Sequence, residues 1–364
     1  MALSVMSGRV TADVPGLVER VDAELARFLD GRAESFSVLG DDLVPVTDIA
    51  KAFVLVGGKR LRPRFAYWGW RTVHDDAEPD AGLITAAASL ELLHACALVH
   101  DDVMDASDTR RGNPAAHTAF ATLHRDSGWS GDPKVFGTAA AILLGDLLLS
   151  WADAMFASAE IDPANRSEAR RVFDQMRQLV MAGQYLDVLV QARAEFSADE
   201  ALRVIEFKTS KYTVEGPLHF GAAIAGAGPE VMAALSRYGL PLGEAFQLRD
   251  DVLGVFGDPD VTGKPAGDDL REGKQTLLTA LAMRAADEVR AEQLRRDLGD
   301  RSLDADQITG VRNIIVATGA LAQVEQRISE RAAQARTALD DPALSDASRS
   351  ALAELVSAAT RRRT

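Results

Sequence analysis

The sequence predicts an all-α protein. Long stretches rich in alanine and leucine dominate the chain, and runs that alternate β-branched with polar residues are few, so the apolar spacing favours helices. Clusters of glycine, proline and aspartate separate these stretches at 57–63, 107–114, 127–133 and 257–273. No composition shift or flexible linker divides the 364 residues. We therefore expect one domain over 1–364, with a core of about 20–355, a short flexible N-terminus and a basic C-terminal tail.

Several stretches are long enough for at least three helical turns each. We predict helices over 17–28, 81–104, 137–159, 167–191, 201–225, 230–255 and 277–298. The most apolar segments, 81–99 and 137–159, carry Glu91 and His94 in the first and Asp146 and Asp153 in the second. Charged groups inside an apolar helix are costly in lipid, so we interpret both as buried helices that need no bilayer.

The charge balance excludes several classes of partner. The chain has 40 lysine and arginine residues against 54 aspartate and glutamate residues, a formal net charge of -14. Such a surface attracts neither nucleic acid nor anionic lipid, so an anionic ligand must bind at a local basic cluster. The single cysteine, Cys96, fits a reducing compartment, and the first residues lack the features of a secretory signal. We expect a cytoplasmic protein.

The segment LVHDDVMDASDTRRGNP joins acids and arginines at the end of a predicted helix. Asp101 and Asp105 are four residues apart and share one helix face, with Asp102 beside them. Carboxylates at this spacing repel each other, whereas Mg²⁺ accepts one or two of them together with substrate phosphate oxygens. Arg110 and Arg111 follow, and guanidinium groups suit bidentate contacts with phosphate. The alternatives are a solvated acidic helix end and mutual pairing of these acids and arginines.

A second acidic pair, Asp250 and Asp251, ends another apolar helix. The loop that follows contains four charged residues, Lys264, Asp268, Asp269 and Lys274. The segment GGKRLRP combines a glycine turn with three cations, Lys59, Arg60 and Arg62. Such a turn can hold an anion with side chains and exposed backbone amides, although this one does not match the Walker pattern.

Two further features are weak when taken alone. Lys208 and Thr209 lie in the predicted helix EFKTSKYTVEG, where a solvated lysine is the simpler interpretation. His94 lies two turns before Asp101 on roughly the same face, where a core histidine is the simpler interpretation. Together with the acidic clusters, however, these residues supply ligands for several Mg²⁺ ions and two separate diphosphates.

In this combination and order, from GGKRLRP to GKPAGDDLREGKQT, the sequence resembles the trans-isoprenyl diphosphate synthases of the polyprenyl synthetase family. The resemblance implies the isoprenoid synthase fold, a large bundle of antiparallel helices around a central apolar cavity. It implies Mg²⁺-dependent head-to-tail condensation of isopentenyl diphosphate with dimethylallyl, geranyl or farnesyl diphosphate to a longer all-trans prenyl diphosphate. It also implies a homodimer and three Mg²⁺ ions in each active site.

The resemblance also assigns roles to residues. The metal ligands are Asp101, Asp105 and Asp250, and Asp102 and Asp251 support them. The residues that clamp the allylic diphosphate are Arg110, Lys208, Thr209, Gln247 and Lys264. The residues that bind isopentenyl diphosphate are Lys59, Arg62, His94 and Arg111. The implied catalytic set is Asp101, Asp102, Asp105, Asp250, Asp251, Lys208 and Lys264.

The implied mechanism follows from charge. Mg²⁺ and the cations neutralise the charge that grows on the departing diphosphate, so the allylic C–O bond ionises. The isopentenyl double bond then attacks the carbocation, and the released diphosphate removes the final proton. An apolar cavity must shield the carbocation from water.

One position departs from the family pattern. The second motif of the family reads DDxxD, whereas Gly254 stands at the fifth position here. Since Asp250 and Asp251 remain, we expect activity to survive, with Asp258 or Asp268 assisting and with weaker metal binding at that site.

Cavity depth below the first motif is expected to set product length. Cys96 and Ala97 are small and leave the cavity open, whereas an aromatic residue near Cys96 closes it at the farnesyl length in the family. Leu93 and Leu90 then form the floor. This pattern predicts geranylgeranyl diphosphate as the product, with a medium-chain polyprenyl diphosphate as the alternative.

Two other functions fit less well. A class I terpene cyclase carries an Asn/Asp, Ser/Thr and Glu triad in its second motif, which RDDVLGVFGD lacks, and does not need GGKRLRP for a second diphosphate. A non-catalytic partner subunit is expected to lose acids from the first motif, and this chain keeps them all.

Overall fold

The computed structural model describes residues 14, 16–74, 78–193, 195–257 and 267–360, and these are almost entirely helical. The first helices are α1 (Leu17–Ser37), a 3₁₀ turn (Asp41–Leu43), α2 (Val44–Leu55), α3 (Leu61–Arg71), α4 (Ala81–Met104), α5 (Ala116–Asp126), α6 (Pro133–Ser158) and α7 (Pro163–Arg193). Next come α8 (Ala198–Val204), a π-helix (Ile205–Glu215), α9 (Gly216–Ile224) and α10 (Pro229–Phe256). The last are α11 (Asp268–Glu272), α12 (Leu277–Ala285), α13 (Glu288–Asp297), α14 (Ala305–Ala317), α15 (Ala320–Ala338) and α16 (Asp346–Thr360). Two short strands, Thr109–Arg110 and Asn113–Pro114, pair antiparallel after α4.

The all-α prediction is confirmed, and α4 has both of its predicted ends. The Asp80 side chain accepts a hydrogen bond of 2.7 Å from the backbone N–H of Leu83, which satisfies one free donor at the start of α4. The helices predicted over 17–28, 137–159, 167–191 and 230–255 are present as α1, α6, α7 and α10, each with a longer span.

One predicted helix is wrong as a single element, and a second, although unbroken, changes its winding along its length. The stretch 277–298 forms α12 and α13, because the Asp287 side chain accepts a hydrogen bond of 2.9 Å from the N–H of Arg290 and starts a new helix. The stretch 201–225 divides into α8, the π-helix and α9.

The core consists of two hydrophobic clusters that share α10. The first cluster contains buried residues of α1 to α7, α9 and the N-terminal half of α10, and α16 covers it. The second contains buried residues of α8, the C-terminal half of α10 and α11 to α15. The first acidic motif therefore ends a helix of the first cluster, whereas the second motif ends the half of α10 that packs in the second cluster.

Two helices, α4 and α6, are long and apolar enough to cross a membrane by length and composition. In α4, 78% of the apolar window is buried inside the protein, which makes it a core helix. In α6 only 39% of the window is buried, and Val135, Ile142 and Leu143 are exposed. These exposed apolar side chains of α6 do not pack in the core of this chain, and such a surface is typical of an interaction site.

Candidate active site

Asp101 lies at the centre of a cluster of charged side chains near the end of α4. Its Oδ1 accepts hydrogen bonds from Lys208 Nζ at 2.9 Å and from Gln184 Nε2 at 3.0 Å. Lys208 Nζ also lies 2.6 Å from Asp187 Oδ2. Burial disfavours the carboxylate form of Asp101, but the charges of Lys208 and Lys274 outweigh burial and lower its pKa to about 2. Asp101 is therefore ionised at neutral pH.

Asp187 and Gln184 are functional candidates for which the sequence favours a simpler interpretation, helix capping or hydrogen bonding within the helix. They lie three residues apart on α7 and face the π-helix and α4, and both reach the Lys208 and Asp101 pair. Burial disfavours the charged form of Lys208, but the Asp101 and Asp187 carboxylates outweigh this effect and raise the pKa of the ammonium group. Asp187 therefore helps to keep Lys208 charged.

Arg110 pairs with Asp102, which is fully buried. Arg110 Nε donates to Asp102 Oδ1 at 2.8 Å, and a terminal nitrogen donates to the same oxygen and lies 3.5 Å from Asp101 Oδ2. Mutual pairing of acids and arginines, the alternative raised for this motif, therefore holds for Arg110 and Asp102. A terminal nitrogen of the Arg110 guanidinium group nevertheless lies beside Asp101.

Asp105 and Lys274 join the two acidic motifs. Lys274 Nζ lies 3.6 Å from Asp105 Oδ2, 3.8 Å from Asp269 Oδ1 and 2.9 Å from Glu272 Oε2. Burial and the charge of Asp101 raise the pKa of Asp105 to about 6. Sequence reasoning noted Lys274 in the charged loop but gave it no role, because only the folded chain brings α11 to the end of α4.

The π-helix is held by backbone contacts at two glycines. A Cβ atom at Gly183 of α7 would lie 2.5 Å from the backbone nitrogen of Lys208. A Cβ atom at Gly243 of α10 would lie 2.4 Å from Ser210 Cα. Glycine is therefore required at both positions for α7 and α10 to approach the segment that carries Lys208.

Thr209 connects the π-helix to the second acidic motif. Its Oγ1 donates to Gln247 Oε1 at 2.6 Å, and Gln247 Nε2 donates to Asp251 Oδ1 at 2.8 Å. Burial raises the pKa of Asp251 to about 8, whereas the Asp250 side chain is exposed. The two acids of this motif thus have different surroundings, and Asp250 is the one open to a ligand.

Asp269 occupies the space beside Gly254. A Cβ atom at Gly254 would lie 1.8 Å from Asp269 Oδ2, so no side chain fits there without moving Asp269. Asp269, and not Asp268, is thus the carboxylate beside the position where the family has its fifth motif residue. Asp258 and Lys264 lie outside the described residues.

A second group of cations lies around His94. Arg62 is buried, donates to Thr213 Oγ1 at 2.7 Å, and stacks 4.5 Å above the ring of Tyr212. Burial and the charges of Arg62 and Arg111 hold the pKa of His94 well below its usual range, so its ring is neutral. Arg111 reaches Val56 O at 3.2 Å, over the glycine turn. This concentration of positive charge suits an anion.

Arg60 differs from its neighbours in GGKRLRP. It is buried, and it donates to Asp22 Oδ1 at 2.7 Å, Glu91 Oε2 at 2.9 Å and Val54 O at 3.0 Å. The expectation that all three cations of the segment can hold an anion is therefore wrong for Arg60, which fastens the turn to α1, α2 and α4. Removing one partner of such a buried pair costs roughly 3–5 kcal/mol. The Lys59 side chain is exposed.

The proposed chain-length residues follow α4 away from Asp101. Leu90 and Leu93 are fully buried, and Ala97 is half-buried one turn before Asp101. Cys96 is buried, with its Sγ 3.9 Å from His100 Nδ1, and burial raises the pKa of the thiol to about 12. Leu90, Ala97 and Asp101 lie on one stripe of the helix, while Cys96 lies to its side.

The acids near α4 fit a hard divalent cation. Asp105 Oδ2 and Asp102 Oδ2 are buried and accept no hydrogen bond from any described residue. Within the same ranges, no three His, Cys, Asp or Glu side chains form a metal-binding group. The unpartnered carboxylate oxygens suit Mg²⁺, which takes one or two carboxylates and completes its coordination with water and substrate phosphates.

The fold and the site are those of the isoprenoid synthase class: an all-α protein with two acidic helix segments, cations beside the first of them, and a second group of cations around His94. The polyprenyl synthetase model matches residues 45–315, and the chain belongs to this family of Mg²⁺-dependent prenyltransferases that make trans-prenyl diphosphates.

Relatives and solved structures agree with this assignment. The crystal structure of geranylgeranyl pyrophosphate synthase from Corynebacterium glutamicum, complexed with isoprenyl diphosphate and magnesium, is 41% identical with a TM-score of 0.93, covering 96% of this chain and 100% of that chain. Geranylfarnesyl diphosphate synthase of Aeropyrum pernix is 35% identical over 280 residues, 75% of this chain and 80% of that protein. Geranylgeranyl diphosphate synthase of Methanosarcina mazei is 36% identical over 244 residues, 65% of this chain and 69% of that protein.

Proposed function

We propose that this chain condenses isopentenyl diphosphate with an allylic diphosphate to form geranylgeranyl diphosphate. The product length is inferred from the α4 residues next to Asp101. Ala97, one turn from Asp101, is small, and the buried Leu93 and Leu90 lie farther from Asp101 along the helix. Relatives named for geranylgeranyl and geranylfarnesyl products support a product of this length or slightly longer.

The two cation groups suit the two substrates. Lys208 and Arg110 lie beside Asp101, at the wall to which the allylic diphosphate is assigned, and Lys264, which the resemblance assigns to the same diphosphate, lies outside the described residues. Both cations stabilise negative charge as the diphosphate leaves the allylic carbon. Thr209 and Gln247 fix the side of this site that faces the second motif.

Isopentenyl diphosphate is assigned to the second group of cations. Arg62, Arg111 and Lys59 supply positive charge there, and the neutral ring of His94 supplies a hydrogen-bond donor. This group contains no carboxylate among its assigned members, which suits a diphosphate that carries no metal of its own.

Asp101, Asp105 and Asp250 would hold Mg²⁺, and we propose three ions in each active site. When bound, Mg²⁺ supplies positive charge that neutralises the leaving diphosphate. Asp102 and Asp251, both buried, support the metal ligands of the two motifs.

The experiment that tests this proposal incubates the protein with Mg²⁺, isopentenyl diphosphate and, separately, dimethylallyl, geranyl or farnesyl diphosphate. Product length is read by mass spectrometry, and we expect geranylgeranyl diphosphate. A ladder of longer products would contradict the product length. Cyclic hydrocarbon from a single substrate would assign the chain to the terpene cyclases, and complete inactivity would favour a partner subunit.

The Cys96→Phe substitution is expected to shorten the product to farnesyl diphosphate. Cys96 is buried beside the stripe that leads down from Asp101, so a phenyl ring there takes volume from the end of the growing chain. Mass spectrometry of the products measures the effect, with Cys96→Ser as the control of similar size. Unchanged product length in Cys96→Phe would show that this wall does not measure the chain.

We also propose that the protein is a cytoplasmic homodimer of single-domain subunits. The exposed apolar stripe Val135, Ile142 and Leu143 on α6 gives a second copy a surface to cover. The Leu143→Glu substitution places a charge in that surface, and we expect monomers in analytical ultracentrifugation where the unchanged protein gives dimers. The control is Val289→Glu, at an exposed valine on α13; equal dimer fractions in both variants would exclude the α6 interface.

A further inference from the structure

The C-terminal end of α4 has a backbone geometry that an alanine rarely adopts. Ala106 has φ of 50°, in the left-handed region, where glycine is usual because a Cβ atom crowds the backbone. The N–H of Ser107 donates to Asp102 O at 2.9 Å, and the N–H of Ala106 donates to Val103 O at 3.4 Å. These bonds close the helix immediately after Asp105.

Arg301 binds the carbonyl groups at this helix end. Its guanidinium group donates to Asp105 O at 2.6 Å and to Ala106 O at 3.0 Å. Carbonyls at a helix C-terminus lack partners within the helix and carry partial negative charge, so a cation there satisfies both needs. The Arg301 side chain thus binds the two peptide units that follow the Asp105 side chain.

The loop that carries Arg301 belongs to the other half of the protein. It lies between α13 and α14, and Leu303 packs into the second hydrophobic cluster. The N–H of Gly299 donates to Leu270 O at 2.9 Å, which ties the loop to α11. A second contact, from Ser107 Oγ to Glu272 Oε1 at 2.8 Å, joins the same helix end to α11. The C-terminal end of α4 therefore contacts both α11 and the loop between α13 and α14.

We propose that Arg301 is a positioning residue for the first acidic motif. By fixing the two peptide units that follow the Asp105 side chain, it fixes the direction of the Asp105 carboxylate and so the shape of the metal and diphosphate site. This inference rests on the proposed function of Asp105. Groups that orient a metal ligand change metal affinity or activity by roughly 10–100-fold when they are removed.

The test compares substrate dependence in Arg301→Ala and Arg301→Lys. We expect the KM for the allylic diphosphate and the Mg²⁺ requirement to rise about tenfold or more in Arg301→Ala. The KM for isopentenyl diphosphate is expected to stay unchanged, because its cations lie around His94. Arg301→Lys can reach one carbonyl but not both, so we expect an intermediate effect. The matched control is Arg295→Ala, an exposed arginine on α13 with unchanged constants expected.

A second measurement separates positioning from general stability. Calorimetric titration with inorganic pyrophosphate and Mg²⁺ is expected to show weaker binding in Arg301→Ala at an unchanged thermal midpoint. Adding Ala106→Gly removes the Cβ atom from the left-handed position, so we expect Arg301→Ala/Ala106→Gly to recover part of the affinity. Unchanged pyrophosphate affinity in Arg301→Ala, or an equal loss for both substrates with a lower midpoint, would overturn the inference. Failure of the proposed function would instead appear as absent condensation by the unchanged protein.

Discussion

We expect the Asp101→Ala substitution to reduce turnover by about 100- to 1,000-fold, the loss typical when one preorganised charge is removed from a reaction site. Asp101 is the carboxylate on which Lys208, Gln184 and Arg110 converge. Its removal takes away an ionised carboxylate to which we assign Mg²⁺, and it leaves Lys208 paired with Asp187 alone. Steady-state kinetics with Mg²⁺ and both substrates measures the change.

The fold is expected to survive this substitution. Lys208 keeps its contact of 2.6 Å with Asp187, so no buried charge is left without a partner. Thermal unfolding checks this expectation, and Asp108→Ala is the matched control, since the Asp108 side chain is 89% exposed. Full activity in Asp101→Ala would contradict the metal assignment.

The Gly254→Asp substitution, which restores the family pattern DDxxD, is expected to impair the enzyme. The new Cβ atom would lie 1.8 Å from Asp269 Oδ2, so Asp269 must leave its place near Lys274. We expect a loss of about 1–3 kcal/mol in the free energy of unfolding from overpacking. Activity is expected to fall by roughly 10–100-fold because the groups around the second motif are displaced. Chemical denaturation and steady-state kinetics measure these two effects.

A double substitution tests whether crowding against Asp269 causes the losses expected in Gly254→Asp. Gly254→Asp combined with Asp269→Gly keeps one carboxylate in this volume, so we expect it to recover activity that Gly254→Asp alone has lost. The control is Gly31→Asp, since a Cβ atom at Gly31 of α1 has no other atom within 4 Å. A Gly254→Asp enzyme that is as stable and active as the unchanged protein would contradict this account of the second motif.

The departure at Gly254 shows how far a motif can be interpreted from sequence. The sequence showed that the fifth carboxylate is absent, and Asp258 or Asp268 was the expected substitute. The structure places Asp269 in that space, and Asp258 lies outside the described residues. The motif pattern could not predict this contact, because helical spacing relates residues within one helix. Gly254 lies on α10, whereas Asp269 lies on α11, which packs against it.

Local rules predicted the helices well where caps and apolar runs agree. Asp80 and the apolar run that follows define α4, and its two predicted ends are confirmed. Over 201–225 the same rules predicted a helix but not its winding, which is that of a π-helix where the glycines at 183 and 243 allow neighbouring helices close to the backbone. They also failed at Asp287, a capping residue inside an otherwise helical stretch.

The helical class, the two acidic motifs, the basic segments and hence the family can be predicted from the amino-acid sequence. These features depend on residue type and on spacing within one element, which are local properties of the chain. The structural role of Arg60, the contacts of Asp187 and Lys274 with the acidic cluster, and the contact of Arg301 with the end of α4 could not be predicted in this way. Each of these contacts joins residues from separate helices or loops, and packing of the whole chain determines which charges meet.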